Sequence, residues 1–82
     1  MRAFAYPKGG QINEHGLLEL VEFSVSANPE TIRVLAKFML AAADKMESMG
    51  NRFGHLHAQD EIESWKDHWP DLVICGEVTN ES

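Results

Sequence analysis

The sequence predicts an α+β domain spanning residues 1–82, in which a three-stranded sheet is covered on one face by one long helix. A short second helix precedes the last strand, giving the order ββααβ. Three observations carry this reading: apolar and polar residues alternate across residues 17–25, apolar residues recur at helical spacing across residues 29–49, and a β-rich run closes the chain at residues 72–78.

The first strand is read at Arg2 to Tyr6, where Ala3 and Ala5 alternate with Phe4 and Tyr6. Pro7-Lys8-Gly9-Gly10 breaks it, and the polar residues that follow to Gly16 predict a long connection. In Leu17 to Val25 the side chains of Val21, Phe23 and Val25 share one face, expected to be buried; Leu20, Glu22 and Ser24 share the other. The two strands are expected to pair antiparallel.

Asn28-Pro29-Glu30 is a helix start. Asn caps exposed amides, Pro suits the first helical position, and Glu complements the positive helix end. Ile32, Leu35, Ala36, Met39, Ala42, Ala43, Met46 and Met49 then form an apolar stripe, expected to lie against the sheet, and Gly50 supplies a stop. Residues 51–59 carry no assignable periodicity. Asp60-Glu61-Ile62-Glu63 resembles a capping box, predicting a helix over 60–68 with Ile62, Trp65 and Trp69 on one side and Pro70 as its stop. Residues 79–82 are expected to fray.

Composition narrows the function classes. The 44% hydrophobic and 24% charged content is that of a folded domain. No apolar run approaches the roughly 20 residues that span a bilayer, and MRAFAYPKGG lacks the pattern of a signal peptide; a cytoplasmic location is expected, with no membrane partner. Cys75, alone of its kind, excludes an internal disulfide and reads as a small buried hydrophobe within Leu72-Val73-Ile74-Cys75. The net charge of -6 is uneven. Residues 1–56 balance six cations against six carboxylates, whereas residues 57–82 set Lys66 against Asp60, Glu61, Glu63, Asp67, Asp71, Glu77 and Glu81. Such a surface repels phosphate backbones, which argues against a nucleic-acid partner, and attracts a basic protein.

No nucleophile elbow, phosphate-binding loop or dinucleotide fingerprint is present. Hence no catalytic residue and no cofactor is expected. Phe53-Gly54-His55-Leu56-His57 is the most distinctive local pattern. Two His separated by one residue project to one side of an extended chain, an arrangement able to share a metal. A zinc site needs a third ligand, and Asp60, Glu61, His68 and His15 do not stand at diagnostic spacing. A metal-binding domain built on His55 and His57 is therefore the alternative, not the expectation. Trp65 and Trp69 are expected to pack at the sheet edge, with partner anchoring as the other role open to them.

A set of short blocks resembles one known family. A strand ending in Tyr6-Pro7 is followed by a Leu- and Glu-containing strand. Asn28-Pro29-Glu30 then leads into a helix with Ala41-Ala42-Ala43-Asp44-Lys45-Met46-Glu47, and Phe53-Gly54-His55-Leu56-His57 and Pro70-Asp71-Leu72-Val73-Ile74 complete the set. Together these resemble the immunity protein 32 family of bacterial polymorphic-toxin systems, over roughly residues 2–75. The sequence departs from the expected pattern at Leu56, where a charged residue would be anticipated. The resemblance implies a non-enzymatic protein that binds and neutralises a cognate toxin, and supplies no catalytic residue. The expected contact residues are His55, His57, Asp60, Glu61, Glu63, Trp65 and Asp67, facing a basic toxin domain. A homodimeric accessory protein is the further alternative, because a domain this small buries little of its surface.

Overall fold

The computed structural model describes residues 1–14 and 16–77. It places strands β1 (Arg2–Ile12) and β2 (Leu18–Ser26), helix α1 (Pro29–Met49), a 3₁₀ turn (Gly50–Arg52), strand β3 (His55–His57), helix α2 (Ala58–Glu61) and strand β4 (Val73–Cys75) in that order. The chain is α+β with one long helix, as expected. The single three-stranded sheet is not: β1 pairs with β2 and β3 with β4, giving two separate two-stranded antiparallel sheets among the described residues.

The first hairpin is longer and its loop shorter than predicted. Pro7 and Gly9-Gly10 do not end β1; they are absorbed as irregularities in the ladder. Tyr6 pairs with Glu22 but Pro7 with Leu20, so Val21 is an extra residue on β2. A proline lacking an N–H is tolerated here because β1 is an edge strand. The chain reverses at Asn13, whose side-chain oxygen accepts the Leu17 N–H at 2.9 Å and whose carbonyl accepts the Gly16 N–H at 2.9 Å. The ribbon is not covered as expected: Val21 and Phe23 are exposed, and Val25 is half-buried.

Helix α1 begins and ends where the sequence places it. Asn28 accepts the Thr31 N–H at 2.8 Å, and Pro29 opens the first turn. Gly50 closes the helix with φ of 57°, a left-handed conformation that suits glycine, and donates its N–H to the Met46 carbonyl. The apolar stripe is only half used. Leu35, Phe38 and Ala42 are buried, and with Ala58 they make up the buried hydrophobic residues of the described chain. Ile32, Met39 and Met49, expected in the core, are exposed.

The predicted helix over 60–68 is replaced by α2 and two tight turns. The Ile62 N–H reaches the Ala58 carbonyl, but Ile62 itself is extended, and the next bonds run from Trp65 to Ile62 and from Trp69 to Lys66. Ala58, Ile62, Trp65 and Trp69 still turn inward at helix-like intervals, because three-residue turns keep nearly the same inward repeat. The last strand is shorter than predicted, with Leu72 outside it and Cys75 exposed rather than buried. Val78 and the expected frayed tail, 79–82, lie outside the described residues.

Candidate partner-binding site

The β3–β4 ladder organises the site. His55, Leu56 and His57 oppose Cys75, Ile74 and Val73. Leu56 turns inward beside Phe38 and Ile62, around a recess on α1. An apolar residue suits that place, which accounts for Leu56 where a charge was anticipated. His55 and His57 fall on the other face of the ribbon, their rings 4.9 Å apart and edge to face.

Beyond the ladder the same register continues through a side chain. The Ala58 N–H donates to the Leu72 carbonyl at 2.8 Å, and the Gln59 N–H donates to Asp71 Oδ1 at 3.0 Å. Asp71 Oδ2 lies 2.5 Å from His57 Nδ1. Burial acts to raise the Asp71 carboxyl pKa, but the hydrogen bonds from His57 and the Gln59 amide and the charge of His57 outweigh it, holding the group below its ordinary value of 3.8. His57 and Asp71 form a clasp across the base of a lobe, residues 58–70. Sequence reasoning counted Asp71 among the acidic residues and did not pair it with His57; its place immediately before a strand that pairs with His-x-His was the available signal.

The lobe carries most of the predicted contact residues. Gln59, Asp60, Trp65 and Asp67 surround one shallow depression. Trp65 and Trp69 stack edge to face at 5.3 Å and line a cleft against Asn28, Thr31 and Val34 at the start of α1. Both rings are half-buried there, so the tryptophans pack against the helix end and not against a sheet edge. Trp65 Nε1 is buried without an acceptor among the described residues.

Two of the predicted residues stand apart from this group. Glu61 points back to α1, its carboxylate 3.6 Å from Lys45 Nζ. Glu63 is exposed in the turn after α2 and does not line the depression. Asp60, Glu63 and Asp67 form no ion pair with any described residue, so their charge is uncompensated by the protein itself. As for a metal, no three His, Cys, Asp or Glu side chains are placed to hold one among the described residues. Asp60, Glu61 and His68 do not join His55 and His57, and His15 lies outside the described residues.

The sequence model of immunity protein 32 matches residues 22–77, from the middle of β2 to the end of the described chain. The chain belongs to the immunity protein 32 family. The matched span contains α1, the clasp and the whole lobe, so the two blocks that carry the resemblance, 53–57 and 70–74, are the two strands and flanks of one ladder. Compared with curated proteins and with solved structures, the chain matches none. No helix among its described residues is long and apolar enough to cross a membrane.

Proposed function

We propose that this immunity protein 32 family member is a non-enzymatic cytoplasmic inhibitor that neutralises a cognate bacterial toxin by covering a basic surface on it. The observation that carries the proposal is the 58–70 lobe. It presents Asp60 and Asp67 uncompensated around a half-buried Trp65, with Glu63 exposed and uncompensated in the turn after α2, on a base tied down by β3–β4 pairing and by the His57–Asp71 clasp. Carboxylates left unpaired in the free protein attract a cationic partner and guide its approach. Trp65 supplies rigid aromatic area at the centre of that charge, the kind of residue on which binding energy concentrates. Family membership supports a toxin as the partner. A basic active-site cleft, such as that of a nuclease, is the chemistry the lobe complements.

In this reading the seven predicted contact residues divide by role. Asp60, Glu63, Trp65 and Asp67 meet the toxin. His57 and Glu61 hold the lobe through Asp71 and Lys45, and His55 flanks its base.

The test takes any toxin domain encoded beside this chain and titrates it by stopped flow at several salt concentrations. The triple variant Asp60→Lys/Glu63→Lys/Asp67→Lys should associate about tenfold or more slowly at low salt, and the difference should shrink as salt rises. Co-expression with that variant should protect cells less well. Equal rates for parent and variant at low salt would remove the lobe from the interface.

A further inference from the structure

Three depressions on the lobe and α1 share walls. Trp65 lines both the lobe depression and the cleft at the start of α1, and Val34 lines both that cleft and the recess beside Phe38. They adjoin as one groove that leads from the lobe along α1 to Lys45. Val34, Phe38, Ala41 and Lys45 recur at intervals of four, three and four, so one stripe of the helix lines the recess. From Asn28 to Lys45 the helix side of the groove runs about 26 Å, at roughly 1.5 Å per residue.

The groove changes sign along its length. Asp60 and Asp67 mark the lobe end, and neither has an ion pair with a described residue. Glu30 and Lys66, one of each sign, stand at the middle. Lys37 and Lys45 mark the helix end, beside a recess of about 340 Å³ whose other walls are apolar except for Glu61.

The two lysines differ in how they are satisfied. Lys45 has the Glu61 carboxylate at 3.6 Å, whereas Lys37 is exposed and forms no ion pair with any described residue. Arg33, one turn before it, forms none either. Like charges a turn apart weaken a helix slightly, and no described carboxylate relieves this pair. A partner that is positive throughout would be attracted at the lobe and repelled at Lys37.

We infer that the helix end of the groove is a second contact for the same toxin, and that it takes an apolar side chain flanked by a carboxylate. The apolar group enters the recess beside Phe38 and Leu56, and the carboxylate pairs with Lys37. This rests on the lobe reading and adds that the bound surface of the toxin is bipolar: basic where it meets Asp60 and Asp67, acidic where it meets Lys37. Contacts of opposite sign at the two ends of one groove admit the partner in one orientation. Reversed, it would set like charges together at both ends.

The sign of one charge reversal tests this. Calorimetric titration with any toxin domain encoded beside this chain compares the parent with Lys37→Glu, Ala41→Trp and Lys8→Glu. Lys37→Glu should raise the dissociation constant at least about tenfold, although it makes the chain more acidic. Ala41→Trp, which fills the recess, should weaken binding by a similar factor with the melting midpoint unchanged. Lys8→Glu alters the net charge equally but lies on β1 outside the groove, and should leave the constant within about twofold of the parent. Tighter or unchanged binding by Lys37→Glu would overturn the inference, as would a folded Ala41→Trp without effect or an equal loss in Lys8→Glu. The lobe reading survives those results if Asp60→Lys/Glu63→Lys/Asp67→Lys still loses affinity. A parent chain that binds no such domain would sink both.

Discussion

At the scale of single residues, Asp71 stands out because it does two jobs with one carboxylate. One oxygen meets the His57 ring and the other caps the Gln59 amide, extending the β3–β4 ladder by a side chain. Its folded pKa is depressed, so its contribution to stability is fully present above the unfolded carboxyl value of about 3.8 and is lost as pH falls through the lower folded value. Asp71→Ala should destabilise the fold by about 1–3 kcal/mol at neutral pH, the range for losing hydrogen bonds to a charged group. Urea unfolding should show the gap between parent and variant narrowing below the ordinary carboxylate range. A gap of the same size at pH near 3 (about one unit below the unfolded value) would mean that the carboxylate charge plays no part in the clasp. His57, chosen from the sequence as a contact residue, is thereby explained first as a fastener: a His-x-His spacing shows which side chains share a face and leaves open what lies across the ladder.

At the scale of elements, α1 and the loop packing beneath it carry the stability. Phe38 is buried between α1 and the Leu56–Ile62 surface. Truncating it to alanine should cost about 3–5 kcal/mol, a large part of the roughly 4–12 kcal/mol available to a chain of this length. Chemical denaturation followed by far-UV circular dichroism measures the loss, and one below about 1 kcal/mol would place the core elsewhere. The bounds of α1 were readable because its signals are local: Asn28, Pro29 and Gly50 act within one turn of themselves. Phe38 was not read as core because the stripe of Leu, Met and Ala around it was wide enough to be satisfied without it. The stripe over-predicted burial for a physical reason: periodicity shows which sector is apolar, and the size of the remaining chain decides how much of that sector is covered. Strand β3 escaped notice because three residues are too few to show a period. The helix predicted over 60–68 rests on a true inward repeat of Ile62, Trp65 and Trp69, realised by turns once Ile62 becomes extended to pack beneath α1.

At the scale of the whole molecule, charge and apolarity are segregated. The acidic excess of the last third lies mainly on the lobe, and the uncovered apolar area lies on the ribbon and the far flank of α1. The charge asymmetry was readable from residue counts, because carboxylates without nearby cations in sequence largely remain without them in space; among the described residues of the last third, Glu61 with Lys45 and Asp71 with His57 are the exceptions. The division of the strands into two sheets was not readable, since pairing between β3 and β4 depends on contacts distant in sequence. The segregation also has a kinetic side. Toxin capture through the lobe should slow as ionic strength rises.

The double tether at the base of the lobe has a consequence for how relatives of this chain could diverge. Residues 58–70 leave and re-enter the fold at one place, where Ala58 meets Leu72 and Gln59 meets Asp71. Inward-turned Ala58, Ile62, Trp65 and Trp69 act as pegs, and the intervening positions are free to vary without disturbing the frame. The segment therefore behaves as an interchangeable cassette. Replacing only its outward residues with those of a relative that neutralises a different toxin should transfer the choice of target while leaving the melting midpoint within a few degrees of the parent (about the shift expected from 1 kcal/mol or less). A chimera that folds and still protects only against the original toxin would locate recognition outside the cassette.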